Sequence, residues 1–452
     1  MDLREIVEMF EQHGIQRVKL AGADVDGVLR GKYVSLAKFA RATERGFGFC
    51  DVIFGWDVED ATYDFASVTG WEKGFPDALA RVDLDTLRLH PWEPGVALFL
   101  CDFWEDEATP FPVCPRNLLK KVLARAAALG YRVRAGFEYE FWLFQETPDT
   151  LAEKGFRGLT PLSSGSFGYS VLRAGQNSDL VHDLLNGLAA LQVEVEGLHT
   201  ETGPGVYEAA LAATDGLEAA DRAVLFKTAV KEIALRHGCV ATFMARWSGG
   251  QPGSSGHIHQ SLWEPEEGGA NLFQDAEAPG GMSDVLDRYV AGQVELLPEW
   301  TALFAPTINS YRRLTPGFWA PTSATWGVDN RTVALRVIPG VAAGQARVEH
   351  RAAGADANPY LALAGCLASG LYGLEHELRL SEPVTGNAYE ADAPRLPGNL
   401  EQAAAALGIS SAAREYFGAE FVNHFVATRN WEVRRFEQAV TDWELRRYFE
   451  II

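Results

Sequence analysis

Two glutamates one residue apart sit in the most aromatic segment of the chain, Gly136-Phe137-Glu138-Tyr139-Glu140-Phe141-Trp142-Leu143-Phe144. The segment reads as a strand, and side chains alternate along a strand, so Glu138 and Glu140 share one face. Paired carboxylates on a largely apolar strand repel each other and are costly to desolvate. A cation beside them relieves both problems; a solvated outer face is the alternative. A second string, His199-Thr200-Glu201-Thr202-Gly203-Pro204-Gly205-Val206-Tyr207-Glu208, places a Gly-Pro-Gly turn between Glu201 and Glu208. Such a turn can bring both carboxylates to one point. In a third, Gly256-His257-Ile258-His259-Gln260-Ser261-Leu262, the two histidines share a strand face. His257 could ligate a metal through a neutral imidazole nitrogen, and His259 reads equally well as a satisfied structural histidine. Glu194 and Glu196, alternating with Val193 and Val195, read as a solvent face.

A fourth string, Arg347-Val348-Glu349-His350-Arg351, alternates Arg347, Glu349 and Arg351 onto one face. These charges could pair as a surface ladder. Arg313, Arg331 and Arg336 lie close by in sequence, however, and arginine forks grip carboxylate and phosphate bidentately. Carboxylates, histidines and many arginines together point to phosphoryl chemistry on an acidic substrate, with Mg²⁺ or Mn²⁺ bridging polyphosphate oxygens. No GxxxxGK[ST] loop and no kinase glycine-rich signature is present, so another fold must hold the nucleotide.

The elements that must position these residues are legible in outline. A short amphipathic helix (Ile6, Met9, Phe10) ends near Gly14. From Val18 to about Asp102 short apolar runs alternate with Gly, Asp and Pro, and Val96–Cys101 is the clearest strand; this predicts a small β-rich domain. Proline density rises between Pro110 and Pro115. Asn117–Leu129 then has helical spacing, and the chain turns extended from Tyr131. The expected division is a domain over 1–108 and a larger α+β domain over 109–452. Gly249–Gly256 and Glu264–Gly281 read as loops, and the last fifty residues as helix with aromatics on recurring faces.

With 40 basic and 61 acidic residues the formal charge is 40 − 61 = −21, and no run of Lys or Arg interrupts it. Such a chain repels nucleic acid and anionic lipid. The five cysteines are scattered, odd in number and without a CxxC pair, which suits a reducing cytoplasm rather than a disulfide framework. The start Met1-Asp2-Leu3-Arg4-Glu5 has no apolar signal region, and the longest apolar stretch, Tyr360–Leu374, is too short to span a bilayer.

Taken in order, the four strings resemble the glutamine synthetase family. Further stretches carry the same resemblance: Asn309-Ser310-Tyr311-Arg312-Arg313-Leu314-Thr315-Pro316-Gly317, Asn330-Arg331 with Arg336, Ala357-Asn358-Pro359-Tyr360-Leu361 and Val440-Thr441-Asp442-Trp443-Glu444. The resemblance implies an N-terminal β-grasp domain followed by a catalytic α+β domain. It also implies a ring-forming homo-oligomer, commonly a dodecamer of two hexamers, with each site at a subunit interface. Two to three Mg²⁺ or Mn²⁺ ions would act with ATP: one held by Glu140, Glu201 and Glu208, the next by Glu138, His257 and Glu349. His259, Ser261, Arg331, Arg336 and Arg347 match nucleotide and phosphate contacts. Glu140, Gly253, Arg313 and Arg351 match the glutamate side, and Arg331, Arg351 and Glu349 the catalytic set.

The departures cluster where ammonia would bind. The family's Pro-Gly-Tyr-Glu-Ala-Pro reads Pro316-Gly317-Phe318-Trp319-Ala320-Pro321, so Trp319 replaces a carboxylate. The family's Phe-Asp-Gly-Ser-Ser has its best counterpart in Phe49-Cys50-Asp51-Val52-Ile53. Tyr169 loosely matches a tyrosine beside the same site. A pocket formed by Trp319, Phe318, Tyr169, Cys50 and Asp51 is expected to take an alkyl- or arylamine rather than ammonium. The expected reaction is thus ATP-dependent ligation of the glutamate γ-carboxylate to such an amine. An ordinary ammonia-using enzyme, a polyamine or ethanolamine ligase, and a silent scaffold are the alternatives; the filled metal-ligand positions argue against the last. Tyr389, near a tyrosine adenylylated in some relatives, reads as an exposed loop residue.

Overall fold

The computed structural model describes residues 3–65, 67–340, 342 and 344–452, without the side chain of Pro279. Met1 and Asp2, part of the N-terminal stretch read as lacking a signal, lie outside the described residues. Helix α1, Leu3–Gln12, buries Ile6 and Phe10 and gives way to Gly14 at φ 61°. Strands β1 (Arg17–Ala23), β2 (Leu29–Ser35), β3 (Phe47–Cys50), β4 (Asp77–Val82), β5 (Arg88–Leu89) and β6 (Val96–Trp104) form the first sheet, in the order β2-β1-β6-β4-β3 with β5 paired to β6. Its central pair, β1 and β6, is parallel, and the flanking pairs are antiparallel. Helix α2, Leu36–Arg45, is capped by the Ser35 side chain and packs Phe39 against Phe10 and Phe99.

Helix α3, Pro115–Ala128, leads into the long strand β7, Arg132–Phe144. The second sheet adds β8 (Val195–Thr200), β9 (Val206–Leu211), β10 (Thr214–Asp215), β11 (Val240–Thr242), β12 (Gly256–Trp263), β13 (Trp326–Val328), β14 (Leu335–Ile338) and β15 (Arg347–His350). Its order is β13-β14-β15-β12-β7-β9-β8, with β10 and β11 also on β7. Helices α4 (Gly216–Arg236), α5 (Asp284–Phe304) and α6 (Pro359–Glu375) cover its apolar face. Helices α5 and α6 approach so closely that a Cβ on Gly292 would lie 2.2 Å from the Ser369 carbonyl oxygen. Helix α7, Ala419–Gln438, returns to the first sheet's loops: Arg429 pairs with Asp26 at 2.7 Å and Trp431 donates to Asp57 at 2.8 Å. Gly249–Gly256 and Glu264–Gly281 are largely loop, as read from their composition. Among the described residues, no helix is long and apolar enough to cross a membrane.

A buried ion network ties the two sheets together. The Arg116 guanidinium on α3 donates to both Asp221 oxygens at 2.8 Å, to Asp83 at 2.8 Å and to Asp102 at 2.9 Å. Tyr360 on α6 donates to Asp221 at 2.7 Å. Asp83 and Asp102 belong to the first sheet's side, Asp221 to α4. Lys120 still pairs with Asp83 and Asp102, but removing the Arg116 cation strands buried Asp221, which costs about 3–5 kcal/mol where one partner of a buried pair is lost. We therefore predict that Arg116→Met lowers unfolding stability by about that amount, read from the urea midpoint. An unchanged midpoint would show that the network does not hold the halves together.

Candidate active site

Strand register builds the site. Glu140 on β7 lies opposite Glu208 on β9, and Glu208 lies opposite His199 on β8. Glu138 on β7 lies opposite His257 on β12, and His259 lies opposite Glu349 on β15, which in turn faces Arg336 on β14. Directly opposed side chains sit about 5 Å apart on one face. Alternation therefore gathers these polar side chains on one surface while Phe137, Tyr139 and Phe141 enter the core behind it. Trp142 continues the polar face of β7 and is fully buried beneath the Gly203–Gly205 turn. A Cβ on Gly203, at φ 147°, would stand 2.2 Å from the indole, so only glycine lets the turn close onto Trp142. That turn carries Glu201 on one side and Glu208 on the other.

The side chains line one cavity of about 500 Å³: Glu138, Glu140, Glu201, Glu208, His257 and Glu349 with Arg331, Arg336 and Arg351. His257 Nδ1 lies 3.5 Å from Glu138 and 3.2 Å from Glu349. Glu349 also meets Arg336 at 3.0 Å and pairs with Arg351. His199 Nε2 lies 3.1 Å from Glu201 and 3.9 Å from Glu208. The Ser255 N–H donates to Glu140 at 2.7 Å. A second cavity shares Glu138 and Ala210 with the first and holds His259, Ser261, Trp263, Arg134 and Arg347. There Arg347 Nε donates to His259 Nδ1 at 3.2 Å, which leaves Nε2 to carry the proton that faces Glu138 at 3.1 Å.

The electrostatics divide into two halves. Burial opposes ionisation of Glu138, but His259 and His257 outweigh it and hold the carboxyl well below its usual range. Burial likewise opposes ionisation of Glu349, and His257 and Arg351 bring it down to about 2. His257 itself is lowered to about 4 by burial and by Arg351, so it is neutral and able to ligate. Around the other carboxylates the counter-charge is weaker: His199 lowers Glu201 but lies 3.9 Å from Glu208. Burial, then Glu140, Glu138 and Glu201, push Glu208 up to about 9, and burial also raises Glu140. Two groups have ligand atoms within 4.8 Å of one another and could hold a divalent cation, His199 with Glu201 and Glu208, and Glu138 with His259 and Glu349; each differs by one residue from the sets expected from the sequence.

Most residues anticipated from the sequence meet in these two cavities, but three expectations need correction. Arg313 does not line the cavity. Its guanidinium is buried and donates to the Ala352 and Arg351 carbonyl oxygens and to the Ser255 hydroxyl, and its stem packs behind Gly253. Asp51 is buried and accepts from the Thr69 hydroxyl at 2.7 Å; neither it nor Cys50 borders the cavity within one chain. Tyr389 is not exposed: its ring is half-buried and burial raises its pKa. Glu196 is solvent-exposed as read, yet it also borders the second cavity. Sequence reasoning left His199 and Trp263 out of the site. The alternation of His199 with Glu201 was the available signal for the first.

The cavity lining is also aromatic: Trp142, Tyr169, Phe318 and Trp319 border it. Trp319 is 60 % exposed and Tyr169 73 % exposed, and both hold positive φ, 61° and 55°. Tyr169 stacks on His199 with ring centroids 4.3 Å apart, and Phe318 lies under the Arg246 guanidinium at 4.4 Å.

The raised pKa of Glu208 makes a prediction. From the ordinary value of 4.5 up to about 9 the folded metal-free chain binds more protons than the unfolded one, so its stability falls as pH rises through that window. A divalent cation takes the proton's place. Adding Mn²⁺ in weak buffer near neutral pH should release protons, and Glu208→Gln should diminish the release. Cation binding without proton release would contradict this reading.

The comparisons agree with the geometry. Residues 112–448 match the family model described as glutamine synthetase, catalytic domain. The chain is 50 % identical to "Type-1 glutamine synthetase 2" of Dictyostelium discoideum, covering 96 % of this chain and 84 % of that protein. It is 39 % identical to the glutamate–isopropylamine ligase of a Pseudomonas species, covering 99 % of this chain and 98 % of the ligase. A solved structure of a GmaS/ADP complex superposes with a TM-score of 0.86 at 29 % identity, over 99 % of both chains. On register, site chemistry and these matches alike, the chain belongs to the glutamine synthetase family.

Proposed function

We propose that the chain is an ATP-dependent ligase joining the γ-carboxylate of glutamate to a primary amine with an apolar body, an alkyl- or arylamine. The observation that carries the choice of amine is Trp319, which lines the carboxylate cavity together with Phe318 and Tyr169. An indole face gives a bare ammonium ion no counter-charge, but it rewards burial of a hydrocarbon by about 0.8 kcal/mol per CH₂. An isopropyl group thereby gains about 2 kcal/mol over ammonia, on the order of thirtyfold in selectivity. The glutamate–isopropylamine ligase among the relatives supports this reading.

A free carboxylate resists attack because neither oxygen can leave. Its oxygen attacks the γ-phosphorus of ATP, ADP departs, and the resulting γ-glutamyl phosphate has phosphate as leaving group. The amine nitrogen then attacks the acyl carbon and loses its proton. Mg²⁺ or Mn²⁺, two to three ions per site, would neutralise charge on the transferring phosphoryl oxygens. Arg331 and Arg351 would face the phosphoryl group, and Glu349 would orient Arg351 through their ion pair. His259, Ser261, Arg336 and Arg347 would hold the nucleotide. Gly253, Glu140 and Arg351 would border the glutamate, with Arg313 fixing the loop from behind.

We further assign residues 1–108 to a β-grasp domain and 109–452 to the catalytic domain. A cytoplasmic dodecamer of two hexameric rings is the proposed assembly. A ring contact would let the Cys50–Ile53 turn approach a neighbour's amine end, which one chain alone does not do. A second reading, ammonia as acceptor, is favoured by the 50 % identity to "Type-1 glutamine synthetase 2".

Phosphate release from ATP with glutamate separates these readings. Isopropylamine should exceed ammonium in kcat/KM by about thirtyfold. Trp319→Glu should erode that preference and raise turnover with ammonium. Stimulation of the unaltered protein by ammonium alone would establish the second reading instead.

A further inference from the structure

A smaller cavity of about 200 Å³ lies away from the carboxylate cluster, between the first sheet and helix α4. Its walls are apolar: Leu20, Leu29 and Leu98 from the sheet, Leu191, Leu225 and Ala229 from the helical side. One end is polar. There the Lys19 ammonium donates to His90 Nε2 at 3.1 Å and pairs with Glu93. Glu232 accepts from the Trp92 indole at 2.8 Å and lies 3.6 Å from His90 Nε2. His90, Glu93 and Glu232 are close enough to suggest a metal site. The Lys19 ammonium already occupies the cation's place among them, so the cluster is built for something else.

The hydrogen-bond inventory narrows the choice. An ammonium group can only donate, so His90 Nε2 is the acceptor and the ring proton lies on Nδ1. That Nδ1 has no partner, although His90 is 7 % exposed. The four charges around the cavity, Lys19, Lys32, Glu93 and Glu232, cancel. A ligand with net charge would leave one sign uncompensated, whereas both signs stand ready for a zwitterion. We propose that this cavity binds a free α-amino acid with an aliphatic side chain. Its carboxylate meets the Lys19 and His90 end, its ammonium meets Glu232, and its side chain buries among the leucines. Such a ligand bridges the first sheet and α4. The residue after Leu225 is Phe226, which stacks on Tyr139 at 5.8 Å between the two site glutamates of β7. Occupancy is thereby linked to the strand that carries Glu138 and Glu140.

Calorimetric titration of the full-length protein with L-leucine tests the proposal, with glutamate and ADP saturating so that the active site is filled. Saturable binding at millimolar affinity or tighter is expected. Isoamylamine, lacking the carboxylate, and 4-methylvalerate, lacking the ammonium, should each bind at least about tenfold more weakly. Ala229→Phe should fill the cavity, abolish leucine binding and leave leucine-free ligase activity unchanged. Glu232→Gln keeps the side-chain shape and should weaken leucine about tenfold or more. No saturable binding to the unaltered protein, or equal binding by folded Glu232→Gln, overturns the proposal. So does an amine or acid arm that matches leucine.

Discussion

Carboxylates gathered on one face of a sheet without matching positive charge are the constraint on which the site depends. Glu138 and Glu349 find partners in the histidines and arginines of β12, β14 and β15. Glu140 accepts from the Ser255 N–H and Glu208 lies 3.9 Å from His199, yet burial raises the pKa of both. A fold that places such groups opposite one another opposes its own electrostatics unless cations complete it. Phosphoryl transfer to a carboxylate has the same difficulty, because two anions must meet. The cations that relieve the protein also relieve the reaction.

The surrounding structure serves that arrangement. Register along β7 sets which carboxylates face each other, and a slip of one residue would turn all of them into the core. Trp142 and the glycine turn above it hold Glu201 and Glu208 together. Arg313, buried behind Gly253, spends its donors on backbone carbonyls and so fixes the loop by which Gly253 borders the cavity. Farther out, the Arg116 network anchors α3 and α4 to the first sheet, which keeps the strand and its covering helices from shifting separately. The aromatic end departs from this polar logic. Trp319 and Tyr169 sit exposed in left-handed backbone conformations that side chains rarely adopt.

Much of this was legible in the sequence, for a physical reason. Alternation along a strand has a period of two, so Glu138 with Glu140 and His257 with His259 could be assigned to one face each from spacing alone. The α3–β7 transition and the loops were similarly local. What spacing could not reveal was depth. Arg313 lies in the same motif as exposed Arg312, yet it turns inward because the Ala352 and Arg351 carbonyls need donors there. Asp51 sits near the end of a short edge strand, where a single chain buries it against Thr69. His199 joins the site through pairing with Glu208 across β8 and β9, a register that the composition of the turn between them does not give. Tyr389 reads as a surface residue because nothing local shows that the Gly317 and Trp319 backbone approaches it.

The chemistry requires the γ-carboxylate of glutamate to be phosphorylated before the amine attacks. Glutamate labelled with ¹⁸O in that carboxylate, turned over with ATP and isopropylamine, tests this directly by mass spectrometry of the released phosphate. One labelled oxygen should appear in phosphate for each γ-glutamylamide formed. Amide formation with unlabelled phosphate would contradict it, since the oxygen would then have left by a route that never bonded it to phosphorus.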